Sequence, residues 1–150
     1  MPEPWGAKLV KEGNSRIFLD ERDLWPNGDF VTANVIVRTD YLEKNPDVIR
    51  KLLEAHVEET KWINDNPEEA MRIFNAELKK IAGTSIPEDE FQAGMSRMTV
   101  TYDPIKSSLF KSAEDAYSIG YLEEEPDLSE IYDLTLLNEV LEQKELERID

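Results

Sequence analysis

The stretch FVTANVIVRTDYLEKNPDVIRKLLEAHVEETKWIND, Phe30 to Asp65, changes its period part-way along and so decides what kind of fold the chain can adopt. Its first ten residues, Phe30 to Thr39, are rich in β-branched side chains and bounded by polar groups, the composition of a largely buried central strand. From Asp40 the spacing becomes helical. Tyr41-Leu42 and then Pro46-Asp47-Val48 open helices, with Asn45 as N-cap and Pro46 at the first helical position. Val48, Leu52, Ala55, Glu59 and Trp62 recur every three or four residues, with Ile49, Leu53 and Ile63 beside them. Apart from Glu59, that is one apolar stripe of a long helix. The expectation is a sandwich-like α/β unit, with the Phe30 to Thr39 strand central and the Asp47 to Asp65 helix packed along it through Leu52 and Trp62.

Upstream, Trp5 to Val10 reads as a helical turn that Gly13-Asn14-Ser15 breaks, followed by a short apolar strand at Arg16 to Asp20. Asp23 to Asp29 (DLWPNGD) is a dense turn signal. Downstream, Asn66-Pro67 restarts the helical pattern through Ala70, Ile73, Phe74, Leu78 and Ile81, and Gly83 closes it. Pro87 opens a short helix through Phe91 and Met95. Met98 to Tyr102 alternates like a strand, Ser107 or Ser108 caps a helix, and Tyr132-Asp133 to Gln143 forms a last amphipathic helix. Three short strands for so many helices is fewer than an ordinary α/β sheet, so either the sheet is small or strands are missing.

With 33 acidic and 17 basic residues among 150, the net charge is −16, which excludes broad electrostatic binding to nucleic acid or an anionic membrane. A local nest of amides with one Lys can still hold a small anion. The chain has no cysteine and one histidine, His56, so disulfides, thiolate metal sites, cysteine nucleophiles and two-His zinc sites are excluded. No cofactor or metal is expected. No apolar run approaches a membrane span, and Met1 to Gly6 has neither a basic nor an apolar signal region, so as written the polypeptide would stay in the cytoplasm.

PEPWGAKLV (Pro2 to Val10), LDERDLWPNGDFVTANVIVRTDYLEKNPDVI (Leu19 to Ile49), TYDPIKSSLFKSAEDAYSIGYL (Thr101 to Leu122) and LSEIYDLTLLNEVL (Leu128 to Leu141) together resemble the C-terminal half of solute-binding proteins of ABC importers in the nitrate/sulfonate/taurine group. The resemblance covers nearly the whole chain, in order. It implies an α/β fold, part of a type II periplasmic-binding-protein fold, helix-rich with a few strands. Residues 1–29 would be a remnant of the second lobe and the segment near the hinge, and residues 30–150 the C-terminal part of the first lobe. The family's full chain is about twice as long and starts with a signal or lipoprotein peptide, which places the full-length receptor in the periplasm or on the extracytoplasmic face.

Thr101-Tyr102-Asp103-Pro104 followed by Lys106-Ser107-Ser108 is the strongest chemical constellation. A strand end leading into a helix N-terminus offers unpaired amides and positive dipole to a sulfonate, nitrate or carboxylate, and Lys106 adds a charge. Ser107 and Ser108 read equally well as N-caps. Thr32 and Asn34, small polar groups within an apolar strand, need partners, which are either a ligand or neighbouring backbone. Glu3 and Trp5 resemble the family segment at the cleft edge, where Trp5 would stack on a ligand; its other reading is packing beneath the next helix.

The expected function is a fragment of the substrate-binding component of an ABC importer, with a small anion as ligand and an ABC permease as partner of the full receptor. Lobe closure would be its mechanism, and no bond would be made or broken. The alternatives are an orphan fragment acting only by self-association, or a relative of thiamine-pyrimidine-precursor proteins. Enzymatic versions of the latter need a His and Cys set that is lacking here. If strands are missing, the Phe30 to Thr39 edge is left open, and a homo-oligomer is expected in which Met1 to Gly13 is exchanged for want of neighbours in its own chain.

Overall fold

A computed structural model describes residues 3–150, and their regular structure is helical, with no strand among them. In chain order the helices are α1 (Trp5–Glu12), α2 (Thr39–Lys44), α3 (Pro46–Asp65), α4 (Pro67–Ala82), α5 (Glu88–Met95), α6 (Lys106–Ser118) and α7 (Thr135–Gln143). Single 3-10 turns lie at Glu21–Leu24 and Pro26–Gly28. The punctuation follows the sequence. Pro46 and Pro67 open α3 and α4, where a missing N–H costs nothing. Gly83 closes α4 at φ 71°, its N–H donating to the Lys79 carbonyl at 3.0 Å. Asn45 and Asn66 act through their side-chain amides as closers of the preceding helix, donating to the Tyr41 and Trp62 carbonyls at 3.1 and 2.9 Å.

The chain divides into two compact units, Met1–Leu19 with Glu58–Thr101, and Asp20–Val57 with Tyr102–Asp150. In the first, α1 lies on α5 and buries Ala7. The Glu3 carboxylate accepts the Ala7 N–H at 3.0 Å and the Arg97 Nε–H at 2.6 Å. Burial opposes its charge, but the Arg97 and Ala7 hydrogen bonds outweigh it and hold the carboxyl below its ordinary range. Lys11 reaches Asp89 at 2.6 Å and the buried Glu90 at 3.4 Å. These contacts overturn the expectation that residues 1–13 lack neighbours in their own chain: over residues 3–13 a small residue at the contact and three ion pairs fasten α1 in place. Met1 and Pro2 lie outside the described residues. Asn75 braces the α4–α5 connection, donating to the Ile86 carbonyl and accepting its N–H, both at 2.9 Å.

In the second unit the core is Val57, Leu137, Val140 and Leu141, bordered by Leu53, Tyr102, Leu134, Leu146 and Ile149. Asn138 ties the chain after α7 to that core, donating to the Ile149 carbonyl and accepting its N–H at 2.8 Å each, and Arg50 pairs with Glu139.

Three expectations of strands fail here. Residues 16–20, 30–39 and 98–102 form no ladder among the described residues. A β-branched run becomes a strand only when a second edge accepts its backbone groups. Over residues 30–38 the backbone partners are a hydroxyl on the Val31 N–H and, at the Arg38 carbonyl, N–H groups of α2, none of them on a second strand, and Ile36 is 90% exposed. Nor does α3 turn the expected stripe inward. Leu52 and Trp62 are 48% and 37% exposed, whereas Ile49 and Val57 are buried and Leu53 is half-buried. The buried face is set one residue along because the core of this unit is α7 and not a sheet.

Candidate functional site

The turn from Tyr102 to Ser108 is built by side chains bonding to backbone. Asp103 Oδ1 accepts the Ile105 N–H at 2.7 Å. That bond helps hold Ile105 in the left-handed region, at φ 49° and ψ 60°, which is costly for a β-branched residue. Helix α6 then begins at Lys106. Ser108 is wholly buried: its Oγ donates to the Ile105 carbonyl at 2.9 Å and accepts the Val31 N–H at 3.1 Å. Neither Ser107 nor Ser108 is the N-cap, since Ile105 occupies that position and has no side-chain acceptor.

Lys106 and Ser107 are exposed at the first turn of α6, where helix geometry leaves their amides without an intrahelical partner. Lys106 Nζ lies 5.9 Å from the centre of the Phe110 ring, and it forms no ion pair among the described residues. Lys106 also lines a polar cleft of about 470 Å³ together with Tyr132, Thr135, Asn138, Glu142 and Arg148. Tyr102 is half-buried at the rim of the core, and Thr32 and Asn34 are exposed instead of enclosed in a strand.

Sequence reasoning passed over Tyr132 as a site residue. Burial pushes its hydroxyl above the ordinary tyrosine range; the Asn34 side chain beside it acts the other way, and the Asp103 charge adds to the rise. The Tyr132 hydroxyl is buried and makes no hydrogen bond of good geometry among the described residues, with Asn34 and Asp103 near enough to act on its charge. No spacing in the sequence links these three positions, so nothing there could have found it.

Glu3 and Trp5 belong to the other unit. Glu3 is engaged by Arg97 and Ala7, while Trp5 is 56% exposed with Lys8 Nζ 5.7 Å from its ring centre. Among the described residues no three His, Asp or Glu side chains gather to hold a metal ion, and no helix is long and apolar enough to cross a membrane. The arrangement is suited to holding a ligand by hydrogen bonds and charge.

The model of the NMT1-like family matches residues 1–78, just over half of the chain. The chain belongs to the NMT1-like family. This is a family of ABC-transporter solute-binding proteins, which bind a ligand, interact with an ABC permease and are generally not enzymes. NMT1-like solute-binding proteins are typically extracytoplasmic. The segment that carries the family match holds Glu3, Trp5, Thr32 and Asn34, and the turn at 102–108 follows it. No curated protein and no solved structure matches the chain.

Proposed function

We propose that this chain holds a small anion of the aliphatic sulfonate, taurine or nitrate class for an ABC importer, at the turn from Tyr102 to Ser108. The observation that carries the reading is that the exposed Lys106 begins α6, whose first amides at Lys106 and Ser107 lack intrahelical partners, and also lines a polar cleft. Lys106 supplies the charge, Ser107 a hydroxyl and an amide, and Tyr102 a wall. Asp103 and Ser108 hold the turn in shape from behind. Thr32 and Asn34 lie on the segment that Ser108 tethers, so a ligand contact from either depends on that tether. In the other unit the exposed Trp5 indole is proposed as a stacking face near Glu3.

The reading extends to architecture. Residues 1–29 are assigned to the second lobe and hinge of a type II periplasmic-binding fold, and 30–150 to the first lobe, working outside the cytoplasm. The open backbone at 30–38 and the exposed run Ile17-Phe18-Leu19 favour a homo-oligomer in the isolated chain.

Calorimetric titration with ethanesulfonate, taurine and nitrate tests the ligand. One turn supplies few contacts against the entropy cost of association, so a dissociation constant near ~1 mM, about −4 kcal/mol, is expected. Lys106→Ala should weaken it at least about tenfold, since it removes the formal charge. Binding that is indifferent to both Lys106→Ala and Ser107→Ala would overturn the assignment.

A further inference from the structure

The connection between α6 and α7 joins two properties that soluble surfaces usually keep apart. Between Lys111 and Lys144 the sequence contains no Lys, Arg or His, and Glu123, Glu124, Glu125 and Glu130 are exposed and form no ion pair among the described residues. Interleaved with these acids are exposed apolar side chains: Ile119 is 68% exposed, Tyr121 83% and Ile131 51%.

The backbone presenting Tyr121 is fixed. Gly120, at φ 78°, takes the left-handed position after α6, and its N–H donates to the Tyr117 carbonyl at 3.0 Å. The Tyr121 N–H donates to the Ala116 carbonyl at 2.9 Å, completing a Schellman motif. In that motif the residue after the glycine commonly packs back on the helix end. Here its ring stands in solvent. Further on, Asp127 accepts the Ser129 N–H at 2.9 Å, which holds its carboxyl below the ordinary range and keeps it charged. An aromatic side chain on a fixed backbone has only two torsions left to order when it is buried, which suits it to act as an anchor.

We infer that residues 119–131 form a docking loop for a protein partner whose surface carries arginine or lysine around an apolar slot that accepts the Tyr121 ring. Charge complementarity selects this occupant. A second copy of the chain brings the same net charge of −16 and would set glutamates against glutamates at this loop. A basic rim instead neutralises Glu123 to Glu125 while the slot covers Tyr121 and Ile119. The inference stands independently of the ligand held at residues 102–108.

The test uses the full chain and two fluorescent peptides of equal charge, measured by anisotropy across a salt series. One is an amphipathic helix with leucines on one face and arginines flanking them, and the other is oligoarginine. The amphipathic peptide should bind at least about tenfold tighter, because charge alone cannot cover the ring. Tyr121→Ser, at an exposed position that leaves the melting temperature unchanged, should abolish that preference, and Ile119→Ser should reduce it. Changing Glu123, Glu124 and Glu125 together to Gln should flatten the salt dependence. Equal binding of the two peptides, no binding of either, or binding indifferent to Tyr121→Ser would overturn the inference. A Tyr121→Ser chain that sediments at lower mass than the parent would also overturn it, in favour of a second copy as occupant.

Discussion

Ser108 Oγ accepts the N–H of Val31 at 3.1 Å, so a fully buried hydroxyl in the first turn of α6 fastens a segment that has no ladder of its own. Replacing Ser108 by Ala strands that N–H and removes the bond to Ile105. An unsatisfied buried donor costs about 1–3 kcal/mol, which corresponds to a fall of several degrees in melting temperature for a chain of this size. Urea melts of Ser108→Ala should show the loss. Hydrogen exchange at Val31 should accelerate in the variant, and protection equal to the parent's would show that the bond is not made in solution.

The two faces of α3 give a paired prediction. Val57 is fully enclosed, so Val57→Ala should cost about 2–3 kcal/mol. Leu52, half out in water, should lose no more than about 0.5 kcal/mol on the same change. Chemical denaturation of both variants checks the phase of the helix, and a reversed order would restore the stripe that sequence periodicity favours.

Glu3 and Arg97 predict a dependence on pH. The folded-state pKa of Glu3 lies below its ordinary value, so its contribution is fully present above the unfolded pKa and is lost as pH falls through the folded one. Glu3→Gln should therefore destabilise the chain by about 1–3 kcal/mol at neutral pH, the worth of a charged hydrogen bond. Below the depressed pKa of Glu3 the parent and the variant should converge. Thermal melts from pH 7 downward measure the gap, and a gap that persists undiminished into strong acid contradicts the pairing.

Asn138 offers a local readout. Its side chain both donates to and accepts from Ile149, and Asn138→Asp keeps the acceptor while removing the donor. Exchange of the Ile149 amide should then quicken, and proteolysis should trim the end of the chain sooner, with a stability loss of about 1–3 kcal/mol.

Helices were legible in the sequence wherever a proline or glycine marks a boundary, as at Pro46, Pro67 and Gly83, because those residues act on their own backbone. Which side of a helix is buried was less legible. Both the Val48–Leu52 stripe and the Ile49–Leu53–Val57 stripe of α3 are apolar, and the choice falls to α7, far away in sequence. The Phe30 to Thr39 run failed as a strand for the same reason, since pairing belongs to two segments at once. At the turn, the start of a helix near Lys106 and Ser107 was legible, because Asp103-Pro104 breaks the preceding segment. The paired duties of Ser108 and the place of Tyr132 were not, because their partners stand on other segments.

Ile105 makes the turn a loaded catch. A β-branched residue in the left-handed region sits about 1–3 kcal/mol above its relaxed alternatives, and the Asp103 carboxylate and the Ser108 hydroxyl keep it there. Release of either latch lets Ile105 relax towards ordinary backbone, which swings the Lys106 ammonium and the first amides of α6 away together. Damage at either of two side chains, neither of them on Ile105 itself, would then undo the shape of the whole turn at once.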